Sequence, residues 1–340
     1  MVASDRAPSI RDVAKLAGVS SQTVSRVVGG LTNVRPETRE KVRIAMAELH
    51  YRPNHAARSL AIGRSETIGV LSTQLSQYGP SRCVRAIDRH ARAAGYLVNI
   101  VSLPDATAAH IDAGVMQLQR QLVEGVIVVT SEVAVVEKIA RSPITVPFVT
   151  VHSAAGNHGV ATPEQVAAAR LGTEHLIALG HREIYHLAGP AEFIESDART
   201  NGYLQAMSEA NLAAHTALGG DWSAESGFRA ISELVARRRI DGIVAGNDQM
   251  AIGAMAAIIG AGLEVPGDVS VVGFDDIPEA RFLNPPLTTI RQDFDEIGEH
   301  AVEALLDDIR GLPATPRPAQ SFELVVRGST APRARGHRSR

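Results

Sequence analysis

Ile10-Arg11-Asp12-Val13-Ala14-Lys15-Leu16-Ala17-Gly18-Val19-Ser20-Ser21-Gln22-Thr23-Val24-Ser25-Arg26-Val27-Val28 reads as two short helices around a glycine turn. Gly18 supplies the left-handed residue, since it has no Cβ to clash there. Ser20 stands where a hydroxyl caps a second helix. Ala14 is small enough for close crossing, and Val24 with Val28 faces inward. Ser21, Gln22, Thr23, Ser25 and Arg26 are left pointing outward. Such side chains reach base edges and phosphates from a DNA major groove. The stretch is a helix-turn-helix, with a generic helical hairpin as the competing reading.

Outward from this motif, Pro36 suits the first turn of a third helix, and Val42, Ala45, Met46 and Leu49 mark its buried face. Arg35, at the cap position, is not a capping residue. Residues 1–64 hold 11 Lys+Arg and 5 Asp+Glu, a local charge of +6; the rest holds 23 and 32, or −9, giving −3 in all. A basic head on an acidic body suits phosphate contact. Asn54 can cap a two-turn basic helix over 54–61 that has no core face of its own and needs a partner to form. No apolar run is long enough for an export signal or a membrane span. The single cysteine, Cys83, excludes an internal disulfide framework and suits a reducing cytoplasm.

The body alternates apolar runs (67–72, 96–103, 125–129, 147–151, 184–188, 241–245, 269–274 and 287–291) with helical segments (80–94, 132–141, 166–179, 198–210, 223–236, 248–261 and 294–310). Continuous apolar strands between helices imply parallel sheets covered on both faces, here two doubly wound lobes with a cleft between them. The expected division is a head over 1–50, a hinge helix and linker over 51–64, one lobe from 65–161 and 294–321, and a second from 162–293 and 322–330. A basic disordered tail over 331–340 ends the chain.

Ligands gather at the carboxyl ends of such strands. That edge carries Thr73, Thr150, Asn247, Asp275, Asp276 and Gln292, with Arg199 near the start of the following helix and Trp222 as the single tryptophan. A carboxylate accepts from a vicinal diol, Arg and Asn donate, and an indole covers the apolar face of a sugar ring. Asp275 or Asn247 could instead cap the next helix, and Trp222 could simply pack. Enzyme signatures are missing: there is no HExxH, no phosphate loop and no nucleophile elbow, and His181 and His186 lack ligand spacing. No cofactor or metal is expected. Residues 250–262 have almost no polar face, so this helix is either internal or covered by a second subunit.

Across nearly its whole length the chain resembles the lactose-repressor (LacI/GalR-type) family of transcriptional regulators. The motifs are Asp12-Val13-Ala14 through Ser25-Arg26-Val27, Thr38-Arg39-Glu40-Lys41-Val42, Tyr51 through Leu60, Glu174-His175-Leu176 with Leu179-Gly180-His181, Asn247-Asp248-Gln249-Met250-Ala251, Val271-Val272-Gly273-Phe274-Asp275-Asp276 and Pro286-Leu287-Thr288-Thr289-Ile290. Gly220-Asp221-Trp222-Ser223 with Gln292-Asp293-Phe294 points to the lactose-responsive end of that family. The resemblance implies a helix-turn-helix head on a periplasmic-binding-protein-like body. It implies that Ser21, Gln22 and Arg26 read bases of an operator duplex, and that Thr23, Ser25, Asn33 and Tyr51 touch its backbone. The helix carrying Asn54, Ala57 and Leu60 would pair with its dimer mate in the minor groove, Leu60 wedging a base step. It further implies a galactoside-like sugar held by Thr73, Thr150, Arg199, Trp222, Asn247, Asp275, Gln292 and Phe294. The implied protein is cytoplasmic and homodimeric, without a membrane partner. It departs from the lactose-responsive end of the family at Thr150, which replaces an acidic sugar contact there, at Gln77 and Cys83, which replace apolar pocket residues, and at Ser21, which replaces an aromatic in the recognition helix. No leucine heptads follow the expected final strand (320–328), so a dimer is expected.

Overall fold

The computed structural model describes residues 8–29, 34–51, 63–130, 132–142, 144–151, 163–236, 240–313, 315 and 320–333. The expected hinge helix over 54–61, and with it Asn54, Ala57 and Leu60, lies outside the described residues, as do Asn33 and most of the expected tail. The chain divides into two compact units, Met1–Glu66 and Thr67–Arg340.

Among its described residues the first unit has three helices: α1 (Ile10–Ala17), α2 (Ser21–Val28) and α3 (Pro36–Glu48). The Ser9 N–H donates to the Asp12 carboxylate at 2.8 Å, closing the start of α1. Gly18 ends it at φ +65°, and the Ser20 hydroxyl accepts from Thr23 N at 3.1 Å to cap α2. Val13, Ala14, Val24, Val42 and Ala45 form the core, with Val28, Met46 and Leu49 packed round it. Arg35 makes no side-chain cap, and Pro36 takes the first turn of α3.

Among its described residues the second unit holds two sheets. The first has order β2-β1-β3-β4 and is wholly parallel, from β1 (Thr67–Ser72), β2 (Leu97–Ser102), β3 (Gly125–Val129) and β4 (Phe148–Thr150). The second contains β5 (Ile184–Ala188), β6 (His215–Gly219), β7 (Gly242–Ala245), β8 (Ser270–Asp275), β9 (Thr288–Gln292) and β10 (Phe322–Val325), in order β10-β9-β8-β7-β5-β6. Only β10 runs antiparallel, along β9.

Strand alternation places Ile68, Val70, Ile127 and Val129 in one core with α4 (Tyr78–Ala93) and α11 (Phe294–Ile309). Leu71, Val126 and Val128 face α5 (Ala108–Arg120) and α6 (Val133–Ala140) on the other side. In the second sheet Ile184, Val244 and Val272 pack under α7 (Pro163–Ala178) and α8 (Ile194–Glu209), while Leu187, Ile243 and Val271 pack under α9 (Ala224–Val235) and α10 (Asp248–Gly260). Each fully buried side chain of this size contributes about 1.5–3 kcal/mol. After β9 the chain leaves the second sheet for α11 on the first, then returns as β10.

The apolar stretch 250–262 is largely internal: Met250, Ala251, Ala254, Met255, Ala257 and Ile258 are buried in α10. Ile252 is half-buried and Ile259 is exposed, which leaves a narrow apolar stripe facing outward.

His186 is structural, and it sets a pH limit on the fold. It sits buried in β5, its Nδ1–H donates to Val244 O at 2.9 Å, and its ring stacks on Tyr203 at 5.3 Å. Nε2 is buried with no hydrogen-bond partner. Burial brings the imidazole down to about 4. Unfolded His titrates near 6.5, so between these values the unfolded chain binds the extra proton. The stability is present above about pH 6.5 and lost as pH falls to 4, about 3 kcal/mol in all. His186→Leu is expected to flatten this loss. Thermal unfolding at pH 7.5 and 4.5 checks it: wild type should lose more than the variant, and equal losses would assign acid sensitivity elsewhere.

Candidate functional site

In the first sheet, β1 lies between β2 and β3; in the second, β5 lies between β6 and β7. These are the switch points, where crossovers leave to opposite faces and open a crevice at the carboxyl ends. The cleft is found there, enclosing about 650 Å³ including its open mouth. From the first lobe, Thr73 and Thr130 follow β1 and β3, their hydroxyls 3.1 Å apart. From the second come Arg199 on α8, Trp222 before α9, Asn247 capping α10, Asp275 ending β8 and Gln292 ending β9. Phe294 enters as the first residue of α11, its ring edge-on to Tyr78 at 5.6 Å.

Seven of the eight expected effector residues therefore line one cleft. Thr150 does not: it is buried at the end of β4, an edge strand one removed from the switch point, and is absent from the lining. Arg199 is also deeper in its helix than expected, because α8 starts at Ile194. Gln77 and Cys83 line the cleft as the resemblance implied. Tyr78, Thr130, Phe193, Glu195 and Gln249 were not anticipated; all lie within a few residues of a strand's carboxyl end or a helix start facing it.

The polar groups form one chain. Arg199 donates from Nε to Gln165 Oε1 (3.0 Å) and from Nη1 to Gly246 O (2.5 Å). Gln165 Nε2 donates to Gln292 Oε1 (3.2 Å), and Gln292 Nε2 donates to Asp275 Oδ1 (2.5 Å). Arg199 Nη2 closes the loop 3.8 Å from Asp275. Arg199 also lies over the Phe274 ring at 3.7 Å, a cation–π contact. Burial raises the Asp275 carboxyl to about 6 against the opposing pull of Arg199 and Gln292. Behind it Asp248 is buried and raised well above the carboxylate range by burial, then by Asp275; Thr289 and Ile277 N donate to it at 2.6 and 2.8 Å.

Asn247 caps α10 and also lines the cleft. Its Oδ1 accepts from Met250 N at 2.9 Å as a cap, while Nδ2 donates to Trp222 O at 3.0 Å on the cleft side. Trp222 adopts φ +69° and meets Phe193 edge-on at 6.0 Å. A Cβ at Gly189 would overlap the indole, so glycine there lets the ring lie against backbone. Asp275 adopts φ +105° and Asp276 φ +51°. Non-glycine residues in this region cluster at ligand sites, where surrounding bonds hold the strain. The arrangement can grip a polyhydroxylated ring by its edges and cover its apolar face.

In the head, Ser21, Gln22, Ser25 and Arg26 are exposed on α2. Thr23 is half-buried and shares its hydroxyl with Ser20 at 2.9 Å. Tyr51 is half-buried against the head core.

A DNA-reading head and a ligand-gripping two-lobed body in one chain define a ligand-controlled transcriptional regulator. The profile of bacterial regulatory proteins, lacI family, matches residues 9–54, and that of the periplasmic binding protein-like domain matches residues 173–330. The lactose operon repressor of Escherichia coli (strain K12) is 36% identical over 326 residues, spanning 95% of this chain and 90% of that protein. The ribose operon repressor of the same strain is 33% identical over 308 residues, 88% and 93%. A solved lac repressor dimer bound to operator and the anti-inducer ONPF superimposes with TM-score 0.86 at 35% identity, over 96% of this chain and 100% of that one. A transcriptional regulator CelR–cellobiose complex does so with TM-score 0.70 at 27% identity, over 95% and 99%. The chain belongs to the lacI family of bacterial regulatory proteins: it is a DNA-binding transcriptional repressor with an effector-binding body.

Proposed function

We propose that the protein is a homodimeric repressor released from its operator when a sugar fills the cleft. One observation carries this: Arg199, Asn247, Asp275 and Gln292 converge with Trp222 on one cleft, in a chain that also bears an exposed helix-turn-helix. Asp275 accepts from ring hydroxyls, Arg199 and Asn247 donate, and Trp222 with Phe294 covers the C–H face. Ser21, Gln22 and Arg26 read bases, while Thr23, Ser25 and Tyr51 meet phosphates; Asn33, Asn54, Ala57 and Leu60 complete the DNA contact. The outward stripe of α10, beside exposed Phe228 of α9, supplies an apolar face for the second subunit. The cleft binds and does not turn over its ligand, and the duplex partner places the protein in the cytoplasm.

Sugar binding favours one lobe arrangement over another, and operator affinity falls by a coupling of about 1–3 kcal/mol. Gel shifts on DNA from upstream of its own gene, with and without a panel of sugars, test the reading. The expected result is a specific complex that one sugar dissolves. A complex that no sugar alters, or none at all, would count against it.

A further inference from the structure

The two lobes line the cleft differently. Arg199, Asp275 and Gln292 of the second lobe are bound to one another and to Gln165 in a single network. The first lobe contributes Thr73, Gln74, Gln77, Tyr78, Cys83 and Thr130. Burial pushes the Tyr78 phenol and the Cys83 thiol up, so both are neutral at pH 7. Among its described residues, this half of the cleft therefore presents hydroxyls and carboxamides and no ionic group. Gln77 stands at the cap position of α4, where its N–H donates to Gln74 O and its carbonyl accepts from Ser81 N, both at 3.1 Å. Its side chain makes no cap, which leaves the carboxamide to the cleft that it lines. From the other lobe Gln249, in the first turn of α10, lines the same cleft, and its buried Oε1 has no hydrogen-bond partner among the described residues.

A carboxamide both donates and accepts, as a hydroxyl does. A phosphate on the first-lobe side meets no cation, and an alkyl group strips water from the amides without replacing its hydrogen bonds; both are costly. A group bearing several hydroxyls satisfies donor and acceptor alike. We propose that Gln77 sets the specificity of the first-lobe half of the cleft, with Gln249 accepting from the opposite lobe, and selects a neutral glycoside whose aglycone carries hydroxyls. This rests on the reading of the cleft as a carbohydrate site, in which Asp275, Asn247 and Arg199 hold one ring. It adds the chemistry of what that ring is joined to: a polyol or a second sugar, rather than an alkyl chain or a phosphate.

A thermal-shift panel of monosaccharides and their methyl glycosides selects the ring. Isothermal titration of the full-length protein then compares four of its derivatives: the propyl glycoside, the glyceryl glycoside, a disaccharide carrying it at the non-reducing end, and the 1-phosphate. The propyl and glyceryl forms share one carbon skeleton and differ only in hydroxyls. The glyceryl form, the disaccharide or both should bind about tenfold or more tighter than the propyl form. The tighter of the two tells a polyol from a second ring. Gln77→Met, close in length and shape, should bring the ratio to within about threefold, and Gln249→Met should narrow it in the same direction. A propyl form or a 1-phosphate that binds as tightly as the hydroxylated forms would overturn the inference and leave the sugar reading intact. A ratio unchanged in Gln77→Met, even with every affinity lowered, would make Gln77 a structural residue and overturn its assignment; the same result in Gln249→Met would overturn that of Gln249. If Gln77→Met fails to fold, Gln77→Ala replaces it, with the same expected and overturning results. No binding by any member of the panel or its derivatives would sink the sugar reading itself.

Discussion

Gly253→Ala is expected to destabilise the body by about 3 kcal/mol, the upper end for adding a methyl to a filled core. A Cβ at Gly253 would overlap the carbonyl oxygen of Ala224 and stand 2.6 Å from Phe228 N. Both are backbone atoms of α9, so no rotamer change relieves the clash. The reciprocal contact is as close: a Cβ at Gly227 would overlap Met250 O on α10. Two glycines, one on each helix, thus let α9 and α10 cross backbone to backbone. The crossing carries Trp222 at one end of α9 and Asn247 at the start of α10, so separation of the helices reaches the cleft. In a body of this size the melting temperature should fall on the order of 10 °C. Gly260→Ala in the same helix is the control, since its Cβ would meet nothing within 4 Å. It should be neutral or slightly stabilising. Equal losses at both sites would mean that the close crossing does not explain the effect, since propensity favours alanine at both.

These glycines also show what was legible beforehand. The helix over 248–261 could be read from its apolar content and the Asn247 cap, yet nothing in its spacing distinguished a glycine that bends from one that lets a neighbour in. The head was readable almost residue by residue, because Gly18, Ser20 and the inward valines act locally. α5 was not anticipated. Its buried face is Ile111, Gly114, Val115 and Leu118, and a Cβ at Gly114 would crowd Leu71 and Leu103. A face completed by a glycine and by the side chains of other elements has little periodic signal of its own. β6 was missed for a related reason: it is an edge strand whose first amide, His215 N, donates to the Tyr203 hydroxyl at 2.9 Å. The cleft residues at strand ends followed from topology, but strand order did not, and Thr150 was misplaced because β4 lies at a sheet edge.

Asp275→Ala is expected to abolish the sugar response: effector affinity should fall about a hundredfold or more, the loss of two charge-assisted hydrogen bonds. Operator affinity without sugar should stay within about threefold, since coupling alone links the two sites. The alanine also leaves Arg199 buried with its carboxylate removed and Gln292 Nε2 without its acceptor. Asp275→Asn separates those effects. It keeps the shape, tolerates φ +105° better than alanine, and removes only the charge. The folded carboxyl is raised to about 6 from an ordinary 3.8. Its contribution to stability is therefore fully present below 3.8 and lost as pH rises through 6, about 3 kcal/mol at neutral pH. On the proposed role of Asp275, the ionised aspartate is a cost that the free protein carries for its ligand. Asp275→Asn should accordingly melt at or above wild type at pH 7.5, with the advantage gone at pH 4, while binding sugar poorly at both. Calorimetry paired with melting at the two pH values decides between roles. An Asn variant that loses stability as the Ala variant does would make Asp275 a strut of the fold, because a strut gains nothing from losing its charge.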